Sequence, residues 1–194
     1  MSNIPDKDLT MEQSEKALIL RIDEFLEKFN PQEMEDVAFR SARFDVGLAW
    51  IHFPEGQGGM GLRPNLQKVI ERRMREAGAM PTDPTTFFMS LAGPSISSHG
   101  SQDQRERFLI PMFTGEERWC QLFSEPGAGS DLAGIKTKAE LDGDTWTING
   151  QKVWTSGAHY SDYGIIVTRS DFSAPKHKGL TYFFLDMKSP GVEV

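Results

Sequence analysis

Cysteine occurs once in these 194 residues, at position 120. A single thiol cannot close an intrachain disulfide, so a reducing, cytoplasmic setting is expected. Cys120 itself reads as a small buried apolar residue rather than a nucleophile. No apolar run approaches the roughly 18 residues that a membrane span needs. The opening Met1 to Asp8 has neither the apolar stretch of a signal peptide nor the arginines of a transit peptide. Gly-Lys-Ser/Thr is absent, which removes a P-loop. His52, His99, His159 and His177 make no His-x-x-x-His spacing, so no metal ligand set is read. Positive charge is in the minority, with 21 Lys and Arg against 28 Asp and Glu and a net charge of −7. With no basic cluster, nucleic acid and anionic membranes are not expected as partners.

What the first part does have is helical period. Thr10-x-x-Gln13 has the form of a capping box, and Leu18, Ile22, Phe25, Leu26 and Phe29 follow at helical spacing. Asn30-Pro31 ends that helix, and Pro31 suits the first turn of the next. Leu66, Val69, Ile70, Met74 and Ala77 mark another helix, and Phe87 to Ser95 a shorter one. Ser101-x-x-Gln104 caps the helix that carries Phe108 and Leu109. These stripes are expected to form a core.

From Trp119 onward the period becomes two, which places a domain boundary near residue 118: residues 1–118 helical, 119–194 β. A short apolar run, Trp119 to Phe123, stops at Pro126 and opens into small residues through Gly134. Pro126 biases Glu125 toward extended geometry, and Gly127 and Gly129 can adopt positive φ or let backbone N–H groups approach a ligand. Gly127-x-Gly129 lacks the third glycine of a dinucleotide fingerprint, because Leu132 stands there, and a strand rather than a helix follows. Ile135 to Leu141 alternates, and Asp142-Gly143 and Asn149-Gly150 are two hairpin signals. Gln151 to Ser156, Tyr163 to Arg169 and Leu180 to Met187 read as further strands of an antiparallel meander. Asp171 to Lys178, with Pro175, reads as a surface loop. An ordinary hairpin loop stays open as an explanation of the glycine-rich segment, and a core tryptophan as one of Trp154.

Two segments carry a family resemblance. Leu122-Phe123-Ser124-Glu125-Pro126-Gly127-Ala128-Gly129-Ser130-Asp131, and Asp142-Gly143 through Asn149-Gly150-Gln151-Lys152-Val153-Trp154-Thr155-Ser156-Gly157-Ala158, closely resemble the signature of the acyl-CoA dehydrogenases. Pro54-Glu55-Gly56-Gln57-Gly58-Gly59-Met60-Gly61-Leu62 resembles the family's loop between early helices. His99 through Gly115-Glu116 resembles its last N-terminal helix. The resemblance covers essentially the whole chain. It implies an α+β multidomain fold: an all-α N-terminal domain, then an antiparallel, barrel-like β domain, ending before the C-terminal helical domain. Pro190-Gly191-Val192-Glu193-Val194 looks like the start of a strand, so a truncated or split chain is expected.

The function implied is FAD-dependent α,β-dehydrogenation of an acyl-CoA thioester, with electrons passed to an electron-transfer flavoprotein and a homo-oligomer, dimer or tetramer, as the full-length state. By matched position, Gln121, Leu122, Phe123, Ser124, Gly129, Ser130, Trp154, Thr155 and Ser156 bind FAD. Ser124 and Ser156 would donate to the isoalloxazine edge, Trp154 would pack on the ring, and Ser130 would also approach the acyl-CoA. Gln121 and Phe123 depart from the smaller or tyrosine-like residues common there. The family's base is usually a glutamate in the C-terminal helical domain, and no position here corresponds to it. Glu125 is read as structural. Two other readings are a non-catalytic flavin or acyl-CoA-binding subunit that completes a partner's site, and an oxygen-using oxidase or monooxygenase on the same fold.

Overall fold

Thr10 opens the first helix as its spacing predicts. In the computed structural model, which describes residues 10–81 and 89–194, its hydroxyl accepts from Gln13 N–H and the Gln13 side chain accepts from Thr10 N–H. The chain divides into two compact units, Met1–Glu116 and Glu117–Val194. The first holds α1 (Met11–Lys28), α2 (Asp36–Asp45), α3 (Gln67–Glu76), α4 (Met89–His99) and α5 (Gln102–Thr114). Ser101 and Gln104 make the same reciprocal cap on α5, and Gly115 ends it at φ 85°. Helix α1 packs on α3, and α5 on both α2 and α4. Leu18, Ile22, Phe25, Phe39, Leu48, Ile51, Leu66 and Ile70 form one core cluster, drawn from α1, α2, α3 and the segment between α2 and α3, with Leu26 and Phe29 only half-buried at its rim.

Three helical expectations shift. Helix α2 begins at Asp36 rather than at Pro31, because Asn30 organises a turn first: its side chain accepts from Gln32 N–H at 3.0 Å and its carbonyl from Glu33 N–H at 3.1 Å. Helix α4 runs on to His99, past the expected Ser95, and Phe87 lies outside the described residues. In α5 Leu109 is buried, whereas Phe108 is only half-buried.

The second unit holds β1 (Trp119–Leu122), β2 (Lys138–Asp142), β3 (Thr145–Asn149), β4 (Tyr163–Arg169) and β5 (Leu180–Asp186). The Asp142-Gly143 hairpin forms, pairing Asp142 with Thr145. The meander does not. Strand β4 is central: β5 runs antiparallel along its whole length, β1 runs parallel to its first half, and β2 meets it in parallel only at Lys138–Arg169. Alternation gives each strand's faces but not its partner, and the long connection from β1 to β4 brings them together in parallel. The sheet is open, not a closed barrel.

Gln151 to Ser156, expected as a strand after a second hairpin, forms none: residues 151–155 lie outside the sheet in irregular backbone and Ser156 begins a turn. Trp154 has φ 61°, the one positive φ at a non-glycine among the described residues, and that interrupts a ladder. Residues 192–194 form no strand. Cys120, Leu122, Ile166 and Met187 pack together in one cluster, and Ala128, Ile135 and Val167 in another.

Candidate functional site

The chain leaving β1 is fixed by one buried carboxylate. Glu125 and Ala128 exchange backbone hydrogen bonds, N–H to carbonyl, at 2.9 and 3.1 Å, closing the turn around Pro126 and Gly127. The Glu125 side chain accepts from Lys136 N–H at 2.7 Å, from Thr137 N–H at 2.9 Å and from the Lys152 ammonium at 2.9 Å. Burial pushes its carboxyl up, but the donors from Thr137, Lys136 and Lys152 outweigh it and hold the group down at about 2. Lys152 is the converse: burial pulls its ammonium down against the pull of Glu125. Lys152 Nζ also donates to the Phe123 carbonyl at 3.0 Å.

Three segments therefore meet at Glu125: residues 123–128, the approach to β2, and residues 152–153. Val153 N–H donates to the Ser124 carbonyl at 2.9 Å, which brings the two sequence motifs side by side. Ser124 is half-buried. Trp154 stands next along the chain, 91 % exposed. It is not a core tryptophan. Thr155 is half-buried, and its hydroxyl is buried with no hydrogen-bond partner among the described residues. Ser156 is exposed.

The remaining candidates divide. Gln121 is half-buried in β1 opposite Ile165. Leu122 is turned into the core beside Ile166, so only its backbone can face a ligand. Phe123 packs against Ala128, Ile135 and Val167 and meets Tyr182 edge-on at 6.2 Å between ring centroids. Gly129 and Ser130 are exposed at the far end of the loop, where Asp131 pairs with Lys176. Neither Gly127 nor Gly129 has positive φ, contrary to one use expected of them. A Cβ at either would meet nothing within 4 Å, so the outer surface of the loop is bare.

Lys152 and Arg169 were not legible as parts of this site. Buried Arg169, at the end of β4, donates to the carbonyls of Ala133 at 2.6 Å, Lys176 at 2.9 Å and Ile135 at 3.3 Å, holding the far end of the loop. Each is a lone cation in a strand-like run, and neither partner lies nearby in sequence. A separate cleft of about 370 Å³ opens in the helical unit between Arg21, Asp45, Gly47, Glu55 and Met60, and shares no residue with this site. Among the described residues no group of three or more His, Cys, Asp or Glu could hold a metal ion, and no helix is long and apolar enough to cross a membrane.

Comparison with known proteins gives two family matches: the acyl-CoA dehydrogenase N-terminal domain over residues 13–116 and the acyl-CoA dehydrogenase middle domain over residues 120–194. Acyl-CoA dehydrogenase FadE34 of Mycobacterium tuberculosis is 44% identical over 164 residues, 84% of this chain and 22% of the relative. Among solved structures, the ChsE4-ChsE5 complex from Mycobacterium tuberculosis matches with a TM-score of 0.64 at 26% identity, over 95% of this chain and 49% of that one. The Tcur3481-Tcur3483 steroid ACAD matches with a TM-score of 0.62 at 27% identity, over 91% and 49%. The chain thus spans about half the length of these solved structures and less of the curated relative.

Proposed function

Because the chain belongs to the acyl-CoA dehydrogenase family, we propose that it supplies the flavin-facing wall of an FAD-dependent enzyme that dehydrogenates an acyl-CoA thioester between its α and β carbons. Trp154 carries the reading. A large indole turned to solvent on strained backbone, one residue beyond the bond to Ser124, is a surface waiting for a flat partner. The bare glycines 127 and 129 and the orphaned Thr155 hydroxyl fit the same ligand: one gives room for close approach, the other a polar atom to satisfy.

Bound FAD supplies the hydride acceptor. The chain's own part is to bind and orient it. The Ser124 and Ser156 hydroxyls, with the backbone N–H groups of Phe123 and Ser124, donate to the polar edge of the ring, and Trp154 covers its face. Gln121, Leu122 and Thr155 line the wall, Leu122 through its backbone alone. Gly129 and Ser130, exposed on the loop, leave room for the ligand, with Ser130 toward the acyl-CoA. Glu125 is not the base. A base working near neutral pH needs a carboxyl raised toward 7, and this one is saturated by donors and held at about 2. The base comes from outside residues 1–194, in a full-length homo-oligomer that passes electrons to an electron-transfer flavoprotein.

The test is to purify the full-length protein and look for bound FAD and its anaerobic reduction by acyl-CoA thioesters. Failure to bind FAD at all would end this reading, and stoichiometric peroxide release on reoxidation would favour an oxidase on the same fold. A second reading is that this chain completes a site on a different acyl-CoA dehydrogenase-type chain. The paired chain names of the two solved structures favour it, and co-purification of a second such chain would establish it.

A further inference from the structure

We propose that Glu125 and Lys152 are the positioning pair of this wall: their buried contact locks the loop after β1 to the Lys152–Ser156 segment and so sets the left-handed backbone of Trp154. The link to FAD rests on the function proposed above, whereas the conformational claim stands on the geometry alone.

A bulky residue at φ 61° persists only where its surroundings over-determine it. The indole does not supply that constraint, since it is almost entirely exposed. The constraint enters through the two residues before it. Lys152 is anchored at the Phe123 carbonyl and at Glu125, and Val153 at the Ser124 carbonyl. On the other side the chain closes into a turn, where Ser161 Oγ donates to the Gly157 carbonyl at 2.9 Å and Gly157 sits at φ 80°. That turn opens at Thr155, whose carbonyl accepts from Ala158 N–H at 3.4 Å, so Trp154 is the residue between two fixed ends.

Glu125 makes the first end rigid. Its carboxylate is itself held by the N–H groups of Lys136 and Thr137 as the chain enters β2, so Lys152 is tied to the frame of the sheet and not to a loose loop. Both side chains of the pair are buried. Relative to an apolar pair of similar volume such a pair contributes little net stability, and its best-attested use is to select one arrangement among several.

The chain has four tryptophans, at positions 50, 119, 146 and 154, so incorporation of 5-fluorotryptophan gives one fluorine resonance for each, with Trp154→Phe assigning the one of interest. Glu125→Gln and Lys152→Met each leave one buried polar group without its partner. The double variant Glu125→Gln/Lys152→Met removes both charges and keeps similar volumes, so it retains the fold best. In the double variant of the 194-residue chain we expect the Trp154 resonance to shift and broaden while those of Trp119 and Trp146, in the same unit, stay in place. A Trp154 resonance at its wild-type position would overturn the proposal. So would joint collapse of the Trp119, Trp146 and Trp154 resonances in all three variants, because the pair would then be a folding determinant with no specific hold on Trp154. FAD titration of the full-length wild type reports separately: absence of binding there removes the flavin reading and leaves the fluorine result to decide the conformational claim.

Discussion

Arg169 Nη2 donates to the carbonyl of Ala133 at 2.6 Å, linking the end of β4 to the turn that closes the glycine-rich loop. The same guanidinium serves the carbonyls of Lys176 and Ile135. One buried side chain therefore ties three backbone carbonyls together. Arg169→Met should cost about 2–4 kcal/mol in urea unfolding and speed amide exchange at Leu132 to Ile135. Arg169→Lys should recover only part of this, because a point charge cannot reproduce the planar fork. Equal stability of Arg169→Met and wild type would show that the clamp is ornamental.

Gly150 is a site of close approach. A Cβ there would lie 2.7 Å from both Cα and Cβ of buried Thr137, whose own N–H is committed to Glu125. Gly150→Ala should therefore destabilise by about 1–3 kcal/mol through overpacking. Gly129→Ala is the contrast, since its Cβ meets nothing within 4 Å. Its stability should stay within about 0.5 kcal/mol of wild type, while FAD affinity of the full-length protein falls as the new methyl intrudes on the ligand. Parallel effects of Gly129→Ala on both readouts would deny the loop a ligand-facing role.

Glu125 makes stability depend on acid. Its carboxyl is held at about 2 in the folded chain against an ordinary 4.5, so the unfolded chain takes up its proton first as pH falls. The contribution is complete above pH 4.5, shrinks below it and is gone below about pH 2. That shift corresponds to about 3 kcal/mol. Wild type should lose about that much more than Glu125→Gln between these limits, the variant serving to cancel the other carboxylates. Superimposable stability profiles would mean that Glu125 is not held as the geometry implies.

Local chemistry was the legible part. The two capping boxes and the Asp142-Gly143 hairpin depend on residues a few positions apart, and all three stand. Strand partners were not legible, because the parallel contact of β1 with β4 joins segments separated by a whole hairpin. Lys152 and Trp154 share a parity that reads as one face of a strand. Nothing local says that the lysine finds a carboxylate 27 residues away or that the tryptophan turns left-handed. The alternation of Ile135, Thr137 and Ala139 does report burial correctly, until Leu141, which lies out in the hairpin and is exposed.

Ser124 and Trp154 should behave differently on substitution. Ser124→Ala removes one hydroxyl, which costs about 1 kcal/mol or several-fold in FAD affinity. The variant should keep the cofactor while its absorption shifts and its reduction slows, as stopped-flow spectra of the full-length protein would show. A Ser124→Ala spectrum and reduction rate identical to wild type would place the hydroxyl away from the ring.

The most direct measurement is an FAD titration of the full-length protein and its Trp154→Ala variant, with urea unfolding of both alongside. Removing an indole that covers the ring should weaken FAD binding by about 2–3 kcal/mol, roughly a hundredfold. Because the side chain is 91 % exposed, unfolding should be almost unchanged. Loss of FAD with stability intact is the expected result. Wild-type FAD affinity in Trp154→Ala would contradict the account, since the flavin would then lie elsewhere.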